Sequence, residues 1–298
     1  MPTSAFHPDL RRIARFTPRS VVGPRSLRLL RMLSRLQPSP RSVDVEVLPL
    51  GPGANVRVQR PRSASGPGPA LLWIHGGGYV IGRATQDDGL CRRFSRELGI
   101  TVGSVDYRLA PENPYPAALE DCYAALLRLA GLPEVDGTRI AIGGASAGGG
   151  LAAALALLAR DRGEVAPVLQ LLSYPMLDDR SAALPANRDY RLWSPASNAF
   201  GWASYLGDAD PAVAVPARRE DLAGLAPAWL GVGSLDLFHD EDVAYARRLQ
   251  DAGVPCQLEV VDGAFHGFDL LTAKAGVSQA YFASQCDSLR AALRTAAP

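Results

Sequence analysis

Short apolar runs alternate with helical stretches between residues 43 and 260, the pattern of a doubly wound α/β sheet. Residues 70–74, 139–143, 168–172, 228–232 and 256–261 read as strands. Residues 43–47 and 55–58 alternate apolar and polar, which suits an antiparallel edge hairpin. Residues 87–98, 117–129, 240–251 and 277–296 read as helices. Residues 60–69, rich in Pro, Gly and Ser, predict a loop. No internal repeat interrupts this order.

One strand runs into a chemically specific turn. Residues 139–143 lead into Gly144-Ala145-Ser146-Ala147-Gly148, and residues 149–158 continue as a helix. Strand, tight turn, serine, helix is the layout that lifts a nucleophilic serine out of a sheet. The glycines admit close chain packing around a strained serine, and the helix points its N–H groups toward developing negative charge. A second strand, residues 70–74, runs straight into His75-Gly76-Gly77-Gly78. Three consecutive glycines leave backbone N–H groups free to meet an oxyanion, with Ala147 after the serine as a further donor.

A serine nucleophile needs a base and an orienting acid. Of the four histidines, His7 lies in a basic arm and His75 opens the glycine loop, where its side chain is expected to brace that loop. His239 and His266 both follow Ser146, as the chain order Ser, acid, His requires. Asp236 follows the strand 228–232, and His266 follows the strand 256–261. In a parallel sheet both loops share the edge that carries Ser146. Asp236 is therefore read as the acid and His266 as the base. His239 is the alternative base; Asp240 and Glu241 are rival acids at positions ordinary for a helix start.

With these residues the chain resembles the hormone-sensitive-lipase family of α/β-hydrolases, the bacterial family IV esterases. The resemblance rests on His75-Gly76-Gly77-Gly78, Asp106-Tyr107-Arg108-Leu109-Ala110-Pro111-Glu112, Pro116-Ala117-Ala118-Leu119-Glu120-Asp121, residues 144–149, Asp236 and His266-Gly267-Phe268, in family order. It implies an α/β-hydrolase fold with a helical cap. It also implies N–H donors at Gly77 and Gly78 together with Ala147, and a buttressing role for the 106–112 run. Two motifs depart from the family. Ala145 replaces an acidic residue before the serine, which reduces the charge near Ser146. Leu237 and His239 stand where the acid loop usually has Pro and Arg, which bears on loop geometry and not on Asp236 itself.

Composition narrows the reading further. The 298 residues can bury one large α/β core, and a net charge of +1 suggests no nucleic-acid partner. Cys91, Cys122, Cys256 and Cys286 are widely spaced and suit reduced thiols of a cytoplasmic protein, with no metal-ligand pattern. No apolar run reaches membrane-spanning length, and no signal peptide is expected.

Two segments lie outside the alternation. Residues 1–41 hold nine arginines and one acid, with Leu27, Leu30 and Leu33 at helical spacing. This arm is read as part of a cap, with a membrane-surface helix as its rival. Residues 178–225, inside a catalytic domain spanning 42–298, form the cap insertion and carry Tyr190, Trp193, Phe200, Trp202 and Tyr205. Tyr79, Trp202 and Tyr205 are expected to line the substrate pocket.

The sequence thus predicts a serine carboxylesterase for short- to medium-chain acyl esters, needing no cofactor and no metal. A small-molecule ester is the expected partner, without stable membrane insertion, and a homodimer is compatible with the sequence. An amide hydrolase or N-acyl deacetylase with the same triad is the main rival; a non-catalytic receptor of the same fold would lose the base.

Overall fold

A computed structural model of the chain describes residues 5–36, 45–61 and 66–295. Predictions that touch residues 1–4, 37–44, 62–65 and 296–298, among them the first two residues of the predicted edge hairpin, lie outside this description. Helices α1 (Arg11–Phe16) and α2 (Leu27–Leu36) come first. The sheet strands are β1 (Val45–Gly51), β2 (Ala54–Gln59), β3 (Gly68–Ile74), β4 (Thr101–Asp106), β5 (Val135–Ala145), β6 (Leu169–Ser173), β7 (Ala228–Gly233) and β8 (Cys256–Val261). Between and after them run α3 (Asp88–Leu98), α4 (Ala117–Ala130), α5 (Ala147–Arg162), α6 (Pro195–Leu206), α7 (Pro211–Ala214), α8 (His239–Asp251), α9 (Phe268–Leu271) and α10 (Gly276–Thr295).

The eight strands form one sheet in the order β1-β2-β4-β3-β5-β6-β7-β8. β1 and β2 make the expected antiparallel hairpin, in a register that pairs Glu46 with Val58 and Leu48 with Val56. β2 also runs against β4, whereas all other neighbours are parallel. β3 begins at Gly68, so the predicted loop is two residues shorter than its sequence suggests.

Topology explains where a site can form. From β3 the chain steps outward to β4, then returns to β5 on the other side of β3 and continues through β6, β7 and β8. Right-handed crossovers therefore place α3 on one face and α4, α5 and α8 on the other. α10 packs with α3, and α4 packs with α5. The crevice outside the strand ends opens where the order turns back, between β3 and β5. Ile74 pairs with Gly144 there, so the loop after β3 and the turn after β5 leave the sheet side by side.

The N-terminal arm and the 178–225 insert are knitted together. Leu192 N–H donates to Pro18 O at 2.8 Å, Ser197 Oγ to Val22 O at 2.7 Å, and Arg191 Nε to Ala14 O at 2.6 Å. The predicted Leu27-Leu30-Leu33 face of α2 needs correction. Leu27 and Leu30 face inward, but Leu33 is exposed, because six residues carry it about 240° around the helix.

Candidate active site

Ser146 sits between β5 and α5 with φ +57° and ψ −123°, a conformation that costs a non-glycine residue about 1–3 kcal/mol. Its surroundings hold it there. Ser146 N–H donates to Ser173 O at 2.9 Å, and Ser146 O accepts from Met176 N–H at 2.9 Å, which ties the turn to the end of β6. Gly148 is required by close approach: a Cβ at this position would lie 2.5 Å from His75 O and 2.6 Å from the carbonyl carbon of Ile74.

Ser146, His266 and Asp236 form one hydrogen-bonded line. His266 Nε2 lies 2.9 Å from Ser146 Oγ, and His266 Nδ1 lies 2.8 Å from Asp236 Oδ2. A carboxylate can only accept, so the proton of the second bond sits on Nδ1. That leaves Nε2 as the acceptor for the serine hydroxyl. Asp236 is held in turn by Phe238 N–H, which donates to Oδ1 at 3.0 Å. All three residues are buried, and the three follow β5, β7 and β8 on one edge of the sheet. The arrangement can move a proton from the hydroxyl to the imidazole and stabilise the resulting imidazolium.

The glycine loop packs directly on this turn. A Cβ on Gly76 would lie 3.2 Å from Ser146 Cβ and 2.9 Å from Ala145 O. The N–H groups of Gly77 and Gly78 have no acceptor among the described residues, and Ala147 opens α5, where helix geometry supplies no intrahelical acceptor. Gly78 has φ +59°. The expected brace is present: His75 Nδ1 bonds to Gly76 O at 2.8 Å, and the ring stacks on Tyr107 at 4.3 Å. Burial pushes the His75 imidazole down, while its bond to Gly76 O and the Asp106 charge pull it back.

The structure gives the 106–112 run a physical task. Tyr107 Oη donates to His75 O at 3.0 Å, and Ala110 N–H donates to Tyr79 O at 3.0 Å, so the run grips both ends of the glycine loop. Arg108 forks onto Asp121 at 2.9 and 2.8 Å, joining this run to the 116–121 motif.

Tyr79, Trp202 and Tyr205 come together as a buried cluster. Tyr79 stacks on Tyr205 at 4.1 Å and lies 5.3 Å from Trp202. Burial pushes the Tyr79 hydroxyl well above its ordinary value. Two residues around His266 were not singled out from the sequence, and a third, Trp193, was read only as one of the insert's aromatics. Phe238 and Tyr174 meet its ring edge-on at 5.1 and 5.0 Å, and Tyr174 Oη donates to Asp269 at 2.7 Å. Trp193 lies 6.5 Å from the same ring. Tyr174 directly follows β6, so the strand-end rule that found Asp236 and His266 would have found it.

His239 is half-buried at the start of α8, with Nδ1 2.7 Å from exposed Asp240. It is not in the line. Glu241, read as an ordinary helix-start carboxylate, is instead buried and accepts from Leu177 N–H at 2.7 Å, Asp178 N–H at 3.0 Å and Ser181 Oγ. Burial pushes its carboxyl up to about 8 against the pull of these bonds.

Residues 71–270 match the family described as alpha/beta hydrolase fold. The chain is 40% identical over 209 residues to Esterase LipI of Mycobacterium tuberculosis, a match that takes in 67% of this chain and 65% of that protein. It is 38% identical over 288 residues to Carboxylic ester hydrolase LipN of the same organism, covering 89% of this chain and 75% of LipN. The solved structure titled Bacterial Heroin Esterase superposes with a TM-score of 0.87 at 37% identity, over 98% of this chain and 99% of that one. The chain belongs to the α/β-hydrolase family, in its hormone-sensitive-lipase-like branch. These relatives are carboxylic ester hydrolases and esterases by name. Among the described residues, no helix is long and apolar enough to cross a membrane.

Proposed function

We propose that the chain is a serine carboxylesterase that hydrolyses short- to medium-chain acyl esters through an acyl-enzyme. Ser146 Oγ attacks the ester carbonyl while His266 Nε2 takes its proton. Gly77, Gly78 and Ala147 donate N–H bonds to the oxyanion, where such donors are worth most. The oxyanion collapses, the alcohol leaves with the proton held on His266, and the acyl group remains on Ser146. Water, deprotonated by His266, then releases the acid and restores the serine. Asp236 keeps the imidazole in the productive tautomer throughout. The observation that carries this reading is the Ser146–His266–Asp236 line at 2.9 and 2.8 Å, beside N–H groups that no described acceptor claims.

The arm 1–41 and the insert 178–225 act in this reading as a cap that sets acyl-chain length. Its support is the aromatic cluster of Tyr79, Trp202 and Tyr205, with Trp193 closing over Gly78 and limiting depth. A cytoplasmic location belongs to the same reading and is supported by four free cysteines, three of them buried. Aryl esters of increasing acyl length test the proposal. The expected result is highest kcat/KM for short to medium chains, lost in Ser146→Ala. Ester hydrolysis absent across the whole series, in protein shown to be folded, would overturn it.

A further inference from the structure

Helix α2 has two apolar faces, and the other described residues cover one of them. Leu27 and Leu30 turn inward beside Arg31. Leu29, Met32 and Leu33, spaced as neighbours on one helix face, turn outward and are 54%, 52% and 48% exposed. Arg25 and Arg28 are exposed beside them. Arg11, Arg12, Arg15 and Arg19 are exposed further back in the same arm, and none of these six forms an ion pair among the described residues. Phe16, at the end of α1, is 75% exposed.

Adjacent exposed apolar side chains flanked by uncompensated arginines match the boundary between hydrocarbon and anionic headgroups. We propose that the outer face of α2 docks peripherally on the surface of an anionic lipid bilayer. Leu29, Met32 and Leu33 enter the acyl boundary, and Arg25 and Arg28 meet the headgroup phosphates. A second copy of the chain fits this face less well. A two-fold contact would bring the same arginines together, and like charges repel.

The inner face links this surface to the site. Arg31 Nε donates to Val80 O at 2.8 Å, Nη2 to Ala110 O at 2.6 Å and Nη1 to Glu112 at 2.7 Å. Val80 lies two residues beyond Gly78. A bilayer docked on the outer face would thus be separated from Val80 by the thickness of α2, about 10 Å. Esters partitioned into that surface are concentrated beside the site.

The test uses the full chain with sedimenting vesicles of phosphatidylcholine, alone or with phosphatidylglycerol. Two variants accompany it: Leu29→Ser/Met32→Ser/Leu33→Ser and Arg25→Gln/Arg28→Gln. Binding should favour the anionic vesicles by about tenfold or more and weaken as salt rises. The triple variant should bind about tenfold or more weaker, and the arginine variant about thirtyfold weaker at low salt. Both should remain folded, as judged by a cooperative thermal unfolding transition, since no altered side chain is buried. Equal binding to neutral and anionic vesicles, or undiminished binding by the triple variant, overturns the proposal. So does a wild-type dimer without vesicle binding that the triple variant converts to monomer, which assigns the face to a second copy.

Discussion

The indole of Trp193 covers Gly78: a Cβ built on Gly78 would lie 2.7 Å from Trp193 Cζ2 and 3.0 Å from Cζ3. An insert residue and a glycine-loop residue therefore share one boundary of the candidate site. Trp193→Ala should open space beyond the loop and raise kcat/KM for longer acyl esters relative to acetate by about tenfold, the discrimination expected from apolar pocket volume. An unchanged ratio would place the acyl chain elsewhere. Gly78→Ala meets both the ring and a backbone at φ +59°, and should lower kcat about 100-fold or more through a displaced donor.

Ser146→Ala and His266→Ala should each lower kcat by about four to six orders of magnitude, and the double variant should be little worse than either, because the two act as one unit. Asp236→Asn should be severe as well, since an amide can donate toward Nδ1 and favour the wrong tautomer. Near-normal kcat in His266→Ala would move the base to His239, despite its outward position.

Trp202 is buried against the stacked pair of Tyr79 and Tyr205. Trp202→Ala should cost about 3–5 kcal/mol of stability by leaving a cavity. It should also shift chain-length preference with only a modest effect on acetate esters. Denaturant unfolding and the acyl series, run on the same protein, check both. A loss below about 1 kcal/mol would contradict the packing described here.

Glu241 ties the start of α8 to the base of the insert. Its folded-state pKa is about 8, above its ordinary value of 4.5, because burial disfavours the charge. The folded protein thus holds a proton that the unfolded chain releases in that window. The contribution of Glu241 to stability is fully present below the ordinary value and is lost as pH rises toward 8. Asp87, pushed up to about 7 by burial, adds a loss of the same sign. Glu241→Gln should flatten the decline between about pH 5 and 8, measured by thermal unfolding. A decline as steep as in wild type would show that Glu241 does not carry it.

The strand ends were legible in the sequence because buried parallel strands are short apolar runs, and the residues just beyond them carry the chemistry. Ser146, Asp236 and His266 were found in this way, and the structure brings all three into hydrogen-bonding contact. The 106–112 run was legible as a motif but not as a device. Its grip on the glycine loop depends on Tyr107 stacking over His75, a contact between residues 32 apart. The burial of Glu241 and the particular contact of Trp193 were not legible for the same reason. Helix-start position describes Asp240 well, but only tertiary packing buries Glu241 one residue later. An aromatic-rich insert does not reveal which ring will reach Gly78.

The role of Ser146 as nucleophile is tested most directly by covalent labelling. Wild-type protein should be treated with a fluorophosphonate and digested, and the labelled peptide identified by mass spectrometry, with Ser146→Ala in parallel. One stoichiometric adduct on Ser146 is expected, with loss of ester hydrolysis in step with labelling and no labelling of the folded Ser146→Ala protein. Stoichiometric labelling of another residue, or Ser146→Ala protein that still turns over esters at the wild-type rate, would contradict it.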